Sequence, residues 1–332
     1  MAKPKVSVIV PERNGSEYIL DTLRSIKNQD FEDFECLILD NKSTDDTVAK
    51  IRGFILGDAR FRLIEHERNI GYVGNLNAGL REAEGKYIAY LHADDLWDEK
   101  FLSSSVALLE KNPGAGMSFC RFRNIGSDGR AHKIPAINAY SGESRAISAR
   151  ELFSEYIKRD ITPVCTVMVR MKVQDEVGEY DPQYPGPCDY QMWLKIVYKW
   201  GGAYNSESTS SYRIHGSSGT GLIYDRGILL TEQYSMIHKL FDSFVEKNAL
   251  NEKLRAKMLE TTAWASLRQA VRAVSQNKGD VCRGKCGIAL ACYPSVKIVF
   301  LADVLFLASY FTFIIWPLAK VAVDKAMKVK RN

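Results

Sequence analysis

Asp94 and Asp95 are adjacent carboxylates that directly follow an apolar run over residues 87–91. An apolar run of this length suits a strand covered on both faces, as in a parallel sheet. Residues just past the carboxyl end of such a strand lie where open α/β sheets bind their ligands. Two neighbouring anions repel unless positive charge sits between or beside them. A divalent cation that bridges phosphate oxygens supplies that charge. The local alternative is capping, because Asp is a favoured N-cap and a helix is expected near Leu96.

The elements around this pair predict how it is positioned. A strand over 6–10 ends at Pro11, and a loop over 11–16 leads into a helix over 17–28 with Tyr18, Ile19, Leu23 and Ile26 at helical spacing. Strands over 34–39 and 61–65, a helix over 74–83 and the strand over 87–91 continue the alternation. This rhythm predicts a doubly wound, mostly parallel sheet. Asp40 and Asn41 close the second strand and Asn69 follows the third, so polar residues converge on one edge with Asp94 and Asp95. Such an edge suits a polar, hydrogen-bonding ligand that needs a cation. No G-x-G-x-x-G follows the first strand and no G-x-x-x-x-G-K-[ST] occurs, which removes the usual dinucleotide and P-loop phosphate grips. Further along, a helix over 101–111, a strand over 117–123, a loop around 139–145 and strand character over 161–170 are expected.

A chain of 332 residues holds one large α/β domain plus an appendage, or two domains. Hydrophobic content of 46% and charged content of 26% describe a folded protein. Net charge is +5, but Lys320, Lys325, Lys328, Lys330 and Arg331 against Asp324 place +4 of it in the last thirteen residues, leaving about +1 for the body. No basic stripe for nucleic acid is present, and no nucleic-acid partner is expected. Seven cysteines without a CxxC pair predict core or surface thiols rather than zinc, and the odd count without a secretory leader suits a reducing cytosol.

The motifs Val6-Ser-Val-Ile-Val-Pro11, Leu37-Ile-Leu-Asp40-Asn-Lys-Ser-Thr-Asp45-Asp-Thr47, Arg68-Asn69-Ile-Gly71 and Leu91-His-Ala-Asp94-Asp95, in that order, resemble the family 2 glycosyltransferases of GT-A fold, bacterial surface-polysaccharide type. The resemblance covers about residues 5–220. It implies a nucleotide-diphosphate-sugar donor, with a UDP-sugar favoured. Asp40 would bond the base, Pro11 and Arg13 would belong to the supporting loop, and Asn69, Gly71 and Asn77 would line the nucleotide side. Asp94 and Asp95 would hold ribose and a divalent metal, Mn²⁺ or Mg²⁺. Two positions depart from the family: Arg13 replaces an aromatic residue, and His92 occupies the first acidic position of the D-x-D-D run. A guanidinium can also stack on a base or reach a phosphate, and His92 is expected as a neighbour of the metal. The segment Cys188-Asp189-Tyr-Gln-Met-Trp193-Leu194 resembles the family's catalytic-base helix, which makes Asp189 the base, although Asp at a helix start is also an ordinary cap. Tyr212-Arg213-Ile-His215 resembles the family's Tyr-Arg-x-His segment, so His215 would complete a mixed N/O metal site and Arg213 would meet the diphosphate.

The expected domains are a catalytic 1–224 and a helical 225–332. Residues 226–276 read as helix, with Leu229, Leu230, Tyr234, Ile237, Leu240, Phe241 and Phe244 on one apolar face. Residues 298–319 are interrupted only by Asp303, Ser309 and Thr312 before the basic tail. That segment is long enough to span hydrocarbon, to lie in the plane of a membrane, or to pack as a buried hairpin. The basic flanks favour a protein at the cytoplasmic face of the inner membrane, peripheral or anchored. Together these features predict an inverting, metal-dependent transfer of sugar to a hydroxyl of a glycan or lipid-linked glycan. Polyprenyl-phosphate sugar synthesis is the alternative within the same chemistry, and nucleotidyl transfer or a non-catalytic scaffold are the alternatives outside it.

Overall fold

The computed structural model describes residues 3–133, 138–158, 162–216, 228–276 and 278–310, without the side chains of Ile228 and Val296. The chain divides into two compact units, Met1–Gly216 and Ser217–Asn332. The expected boundary at 224 falls within 217–227, outside the described residues.

In the first unit, β1 (Val6–Glu12), β2 (Phe34–Asp40), β3 (Phe61–Glu65) and β4 (Tyr87–Tyr90) lie parallel in the order β3-β2-β1-β4. Every residue of β1 and all of β2 except Glu35 are buried, which is why these strands read as apolar runs. The parallel arrangement puts all four carboxyl ends on one edge. Its register sets Glu12 beside Asp40 and Asp40 beside Glu65. α1 (Ile19–Lys27) covers the sheet through Ile19, Thr22, Leu23 and Ile26, the helical spacing expected from sequence. α2 (Thr47–Ile55) and α3 (Tyr72–Glu82) complete the alternation.

The second half of the sheet is mixed. β8 (Val167–Arg170) pairs antiparallel with β4, β6 (Met117–Ile125) antiparallel with β8, and β9 (Gly202–Arg213) parallel with β6. β5 (Leu96–Trp97) and β7 (Arg145–Ile147) pair antiparallel with opposite ends of β9. The strand expected over 161–170 is shorter than its apolar run, because a 3-10 turn over Val164–Thr166 precedes β8; residue 161 lies outside the described residues. Beyond β4, α4 (Phe101–Lys111) stacks Phe101 on Trp97 with centroids 4.2 Å apart. After α5 (Ala149–Lys158) and α6 (Met171–Val177), α7 (Cys188–Trp200) buries Trp193 completely, tilted against Tyr90 of β4 at 6.3 Å. That anchor directs the first turn of α7 toward the carboxyl edge of the sheet.

In the second unit, α8 (Ile228–Ser243), α9 (Ala249–Ser275), α10 (Gly279–Cys292) and α11 (Val296–Ala308) replace the single helix expected over 226–276 and the long apolar segment after it. The break falls at 244–248, where the Asn248 side chain accepts from the Asn251 amide at 2.9 Å and starts α9. Trp264, Leu267, Val274, Ile298, Leu301 and Leu305 form its core with Cys282, Cys286 and Cys292. All seven cysteines are buried. Among the described residues no helix is long and apolar enough to cross a membrane. The expected apolar segment continues over 311–319, outside the described residues, as does the basic tail.

α3 approaches the sheet through Gly79, where a Cβ would stand 2.7 Å from Ile9 Cγ2 and 3.0 Å from Leu39 Cδ2. Replacing Gly79 with Ala is expected to cost about 1–3 kcal/mol by overpacking. The measurement is the urea midpoint, which falls while the slope stays unchanged.

Candidate active site

Three loops at the carboxyl edge hold one another in place. Asn14 and Lys42 adopt left-handed backbone, with φ of 57° and 64°. The Asn14 amide donates to Ser43 Oγ at 2.8 Å, and the Thr44 amide donates to Asn14 Oδ1 at 2.7 Å. Asp40 is buried, and its carboxylate accepts from the Ser43 amide at 3.2 Å. Asn41 ties in the third loop by accepting from the Ile70 amide at 2.8 Å and donating to Gly71 O at 3.1 Å. Asn69 Oδ1 accepts from the Gly71 amide at 2.9 Å, and Gly71, at φ 78°, turns the chain into α3. Asp40, Asn69 and Gly71 therefore share this edge with buried Pro11 and exposed Arg13. Asn77 is employed elsewhere. Its amide donates to Tyr180 O and accepts from the Tyr180 amide, both at 2.9 Å, so it ties α3 to the segment before α7.

Asp94 and Asp95 follow β4 and meet the end of β9, because β5 pairs Leu96 with Ser211. Asp95 is 1% exposed; its Oδ1 accepts from the Arg213 amide at 2.9 Å, while Oδ2 is buried without a hydrogen-bond partner. Burial first, and then the charge of Asp94, push the Asp95 carboxyl well above its ordinary value. His92, Asp94 and Asp95 each turn one possible ligand atom to a common point, all within 4.8 Å of one another. A buried, unpartnered carboxylate oxygen beside a second carboxylate and an imidazole suits a divalent cation. His92 Nε2 lies 2.7 Å from Tyr72 Oη, leaving Nδ1 on the Asp95 side at 3.9 Å from Oδ2. His215 lies behind Asp94, with Nε2 2.9 Å from Asp94 Oδ2 and its ring 4.8 Å from Tyr18. Arg213 is buried, and its guanidinium donates to the carbonyls of Asp94 at 2.7 Å, Gly126 at 3.1 Å and Ser127 at 3.2 Å. It also lies over the Tyr18 ring at 4.5 Å.

Asp189 is half-buried in the first turn of α7, where its Oδ1 accepts from the Tyr190 amide at 2.7 Å. Burial raises its carboxyl above the ordinary value, while the Tyr190 amide and the charge of His92 pull it partly back. Two residues of the site carried no family motif. Tyr72 is the partner of His92, and Glu12 is a 3% exposed carboxyl packed beneath the Gly15 backbone, whose amide donates to it. Burial is the main cause that raises the Glu12 carboxyl from 4.5 to about 8, and Asp40, Asp45 and Asp94 add to it. The available signal for Glu12 was its place after Pro11, in register with Asp40.

The sequence model of the family described as Glycosyl transferase family 2 matches residues 7–178. Among curated relatives, the chain is 33% identical over 107 residues to the Escherichia coli UDP-Glc:alpha-D-GlcNAc-diphosphoundecaprenol beta-1,3-glucosyltransferase WfgD, covering 32% of this chain and 42% of that protein. The fold is similar to that of S. aureus TarS, solved with UDP-GlcNAc, at a TM-score of 0.67 and 18% identity over 92% of this chain and 89% of that one. It is also similar to the mannosyltransferase PcManGT of Pyrobaculum calidifontis, solved with GDP-Man and Mn²⁺, at a TM-score of 0.58 and 18% identity over 99% of this chain and 87% of that one. The mixed sheet with its flanking helices is thus the GT-A fold.

The Glu12 carboxyl gives the site a pH signature. Unfolded, it ionises near 4.5; folded, near 8, so the native state holds a proton that the unfolded chain releases. Its contribution is fully present below pH 4.5 and is lost progressively as pH rises to about 8. Glu12→Gln keeps an acceptor for the Gly15 amide and removes the ionisation. The variant is expected to unfold at a higher temperature than the parent at pH 8, and by a margin that shrinks at pH 5, in thermal melts across that range.

Proposed function

The chain belongs to glycosyl transferase family 2, and from that premise we propose that it performs a metal-assisted, inverting transfer of sugar from a UDP-sugar to a hydroxyl of a lipid-linked glycan. It is a glycosyltransferase that uses a nucleotide-sugar donor. The finer proposal rests above all on the cluster of His92, Asp94 and Asp95, where the unpartnered Asp95 oxygen calls for a cation on the edge that also holds Asp40 and Asn69. UDP-GlcNAc bound by TarS and the UDP-glucose in the name of WfgD support a uridine donor. The diphosphoundecaprenol in that same name supports a lipid-linked acceptor, which would place the reaction at the cytoplasmic face of the inner membrane.

Each residue then has a part. Asp40, Asn69 and Gly71 present the nucleoside pocket, with Pro11 beneath it and Arg13 at its rim. Asp94 and Asp95 would hold Mn²⁺ or Mg²⁺, with His92 on the same point and His215 orienting Asp94. Such a cation, when bound, supplies positive charge for a departing nucleoside diphosphate. Arg213 serves the site from beneath: its amide holds Asp95, its Nε and Nη1 brace Asp94 and the 126–127 turn, and its Nη2, 4.0 Å from Asp21 Oδ2, is the edge that would meet the diphosphate. Asp189 takes the proton from the acceptor hydroxyl as the oxygen attacks the anomeric carbon opposite the breaking bond. A carboxyl raised by burial is a stronger base than a solvated one, and it gains that strength at the cost of a higher pH requirement.

Asp189→Asn is expected to lower turnover by about 10²–10⁴-fold, while donor binding, read by titration calorimetry, persists. Loss of both together, or neither, overturns the base assignment. Turnover of the parent should rise with pH through an acid limb above the ordinary carboxylate range. A chelator is expected to abolish transfer and Mn²⁺ to restore it; activity that withstands chelation removes the metal role of Asp94 and Asp95.

A further inference from the structure

The helical unit carries an apolar face that its own core leaves uncovered. α11 buries Ile298, Leu301, Ala302, Leu305 and Ala308 to 1% exposure or less against the rest of that unit. Its opposite face turns Val299, Phe300, Phe306, Leu307 and, just beyond the helix, Tyr310 outward, at 36%, 59%, 42%, 54% and 58% exposure. Among the described residues only three other large hydrophobic side chains are comparably exposed, Leu56, Tyr72 and Leu250, and they are scattered. Five within twelve residues on one helical face make a patch, and a patch of that kind is an interaction surface. Asp303 is the one charge within the stripe.

We propose that this face of α11 docks in the plane of an anionic lipid bilayer. Two observations select lipid over a protein partner. Cations frame the stripe: Lys297 lies 5.5 Å from the Trp264 ring at one end, and Arg283 lies 4.4 Å from the Tyr310 ring at the other. Both are long side chains with apolar stems of the type that reach headgroups from an interfacial helix. The sequence then runs on through Phe311, Phe313, Ile314, Ile315 and Trp316 into Lys320, Lys325, Lys328, Lys330 and Arg331, a charge complement for an acidic membrane surface. Thirteen residues of helix, buried along one side in protein, suit a helix lying at the interface. The inference goes beyond the proposed reaction and stands whichever acceptor the enzyme uses.

The test is sedimentation of the full chain with vesicles of phosphatidylcholine containing about one third phosphatidylglycerol. The parent is expected to partition onto these vesicles, less so in high salt. A double substitution, Phe300→Ser with Leu307→Ser, should weaken partitioning at least about tenfold, since both side chains lose apolar area otherwise removed from water. Leu56→Ser, which removes a still more exposed leucine, at 87%, from the other unit, should leave it unchanged. Equal partitioning of parent and double variant overturns the proposal, as does failure of the parent to bind. A parent that forms a dimer without vesicles, dispersed by the double variant, overturns it in favour of a second copy of the chain. Donor hydrolysis and transfer to a soluble acceptor are measured alongside: their absence in the parent counts against the reaction, whereas membrane docking is judged by sedimentation alone.

Discussion

A buried acid whose carboxyl is held well above its ordinary value organises the catalytic unit. Asp95 is 1% exposed, adjoins a second acid, and has one oxygen without a partner. Burying a charge without a partner is expensive. The protein offsets this only in part, through the Arg213 amide and the guanidinium over the same turn. What remains is an affinity for positive charge at one point, and the sheet edge is built around that point. β1, β2 and β3 end level at Glu12, Asp40 and Glu65, and β4 ends at Tyr90 beside Ile9, so the residues after it turn across the same edge.

The same edge concentrates acids that a solvated surface would spread apart. Asp40, Asp45 and Asp94 all add to the rise of the Glu12 carboxyl, and the protein holds Glu12, Asp40 and Asp45 with backbone donors from Gly15, Ser43 and Thr47 and with interlocked loops. The left-handed backbone at Asn14 and Lys42 belongs to that interlock. Strain and like-charge crowding of this kind persist where the surrounding structure over-determines them, and they mark functional sites.

Much of this was legible before the fold was known. The apolar strands, the polar residues that close them, and the amphipathic spacing of α1 all follow from periodicity, since a buried parallel strand admits few polar side chains. The order of four motifs carried the family. Other features depended on pairing across the chain. The break after α8 lacked a glycine or proline to announce it and was missed within a single apolar face. The 3-10 turn before β8 was hidden in an apolar run. Asn77 was expected to line the nucleotide side, yet its side-chain amide bonds both backbone groups of Tyr180, 103 residues away.

The sequence by itself determined the βα alternation, the set of acids at the strand ends and the apolar character of residues 298–319, because these depend on local pattern and residue chemistry. Tertiary structure decided which of those groups meet. The antiparallel pairing of β5 with β9 brings Arg213 and His215 onto Asp95 and Asp94 across roughly 120 positions of sequence. The start of α3 sets Tyr72 against His92, and the end of β9 brings the Arg213 guanidinium onto three backbone carbonyls. In the helical unit, packing against α9 and α10 selects which side of α11 is core and which is bare. Distances between remote residues are set by strand register and helix packing, and neither is encoded in the spacing of a single motif.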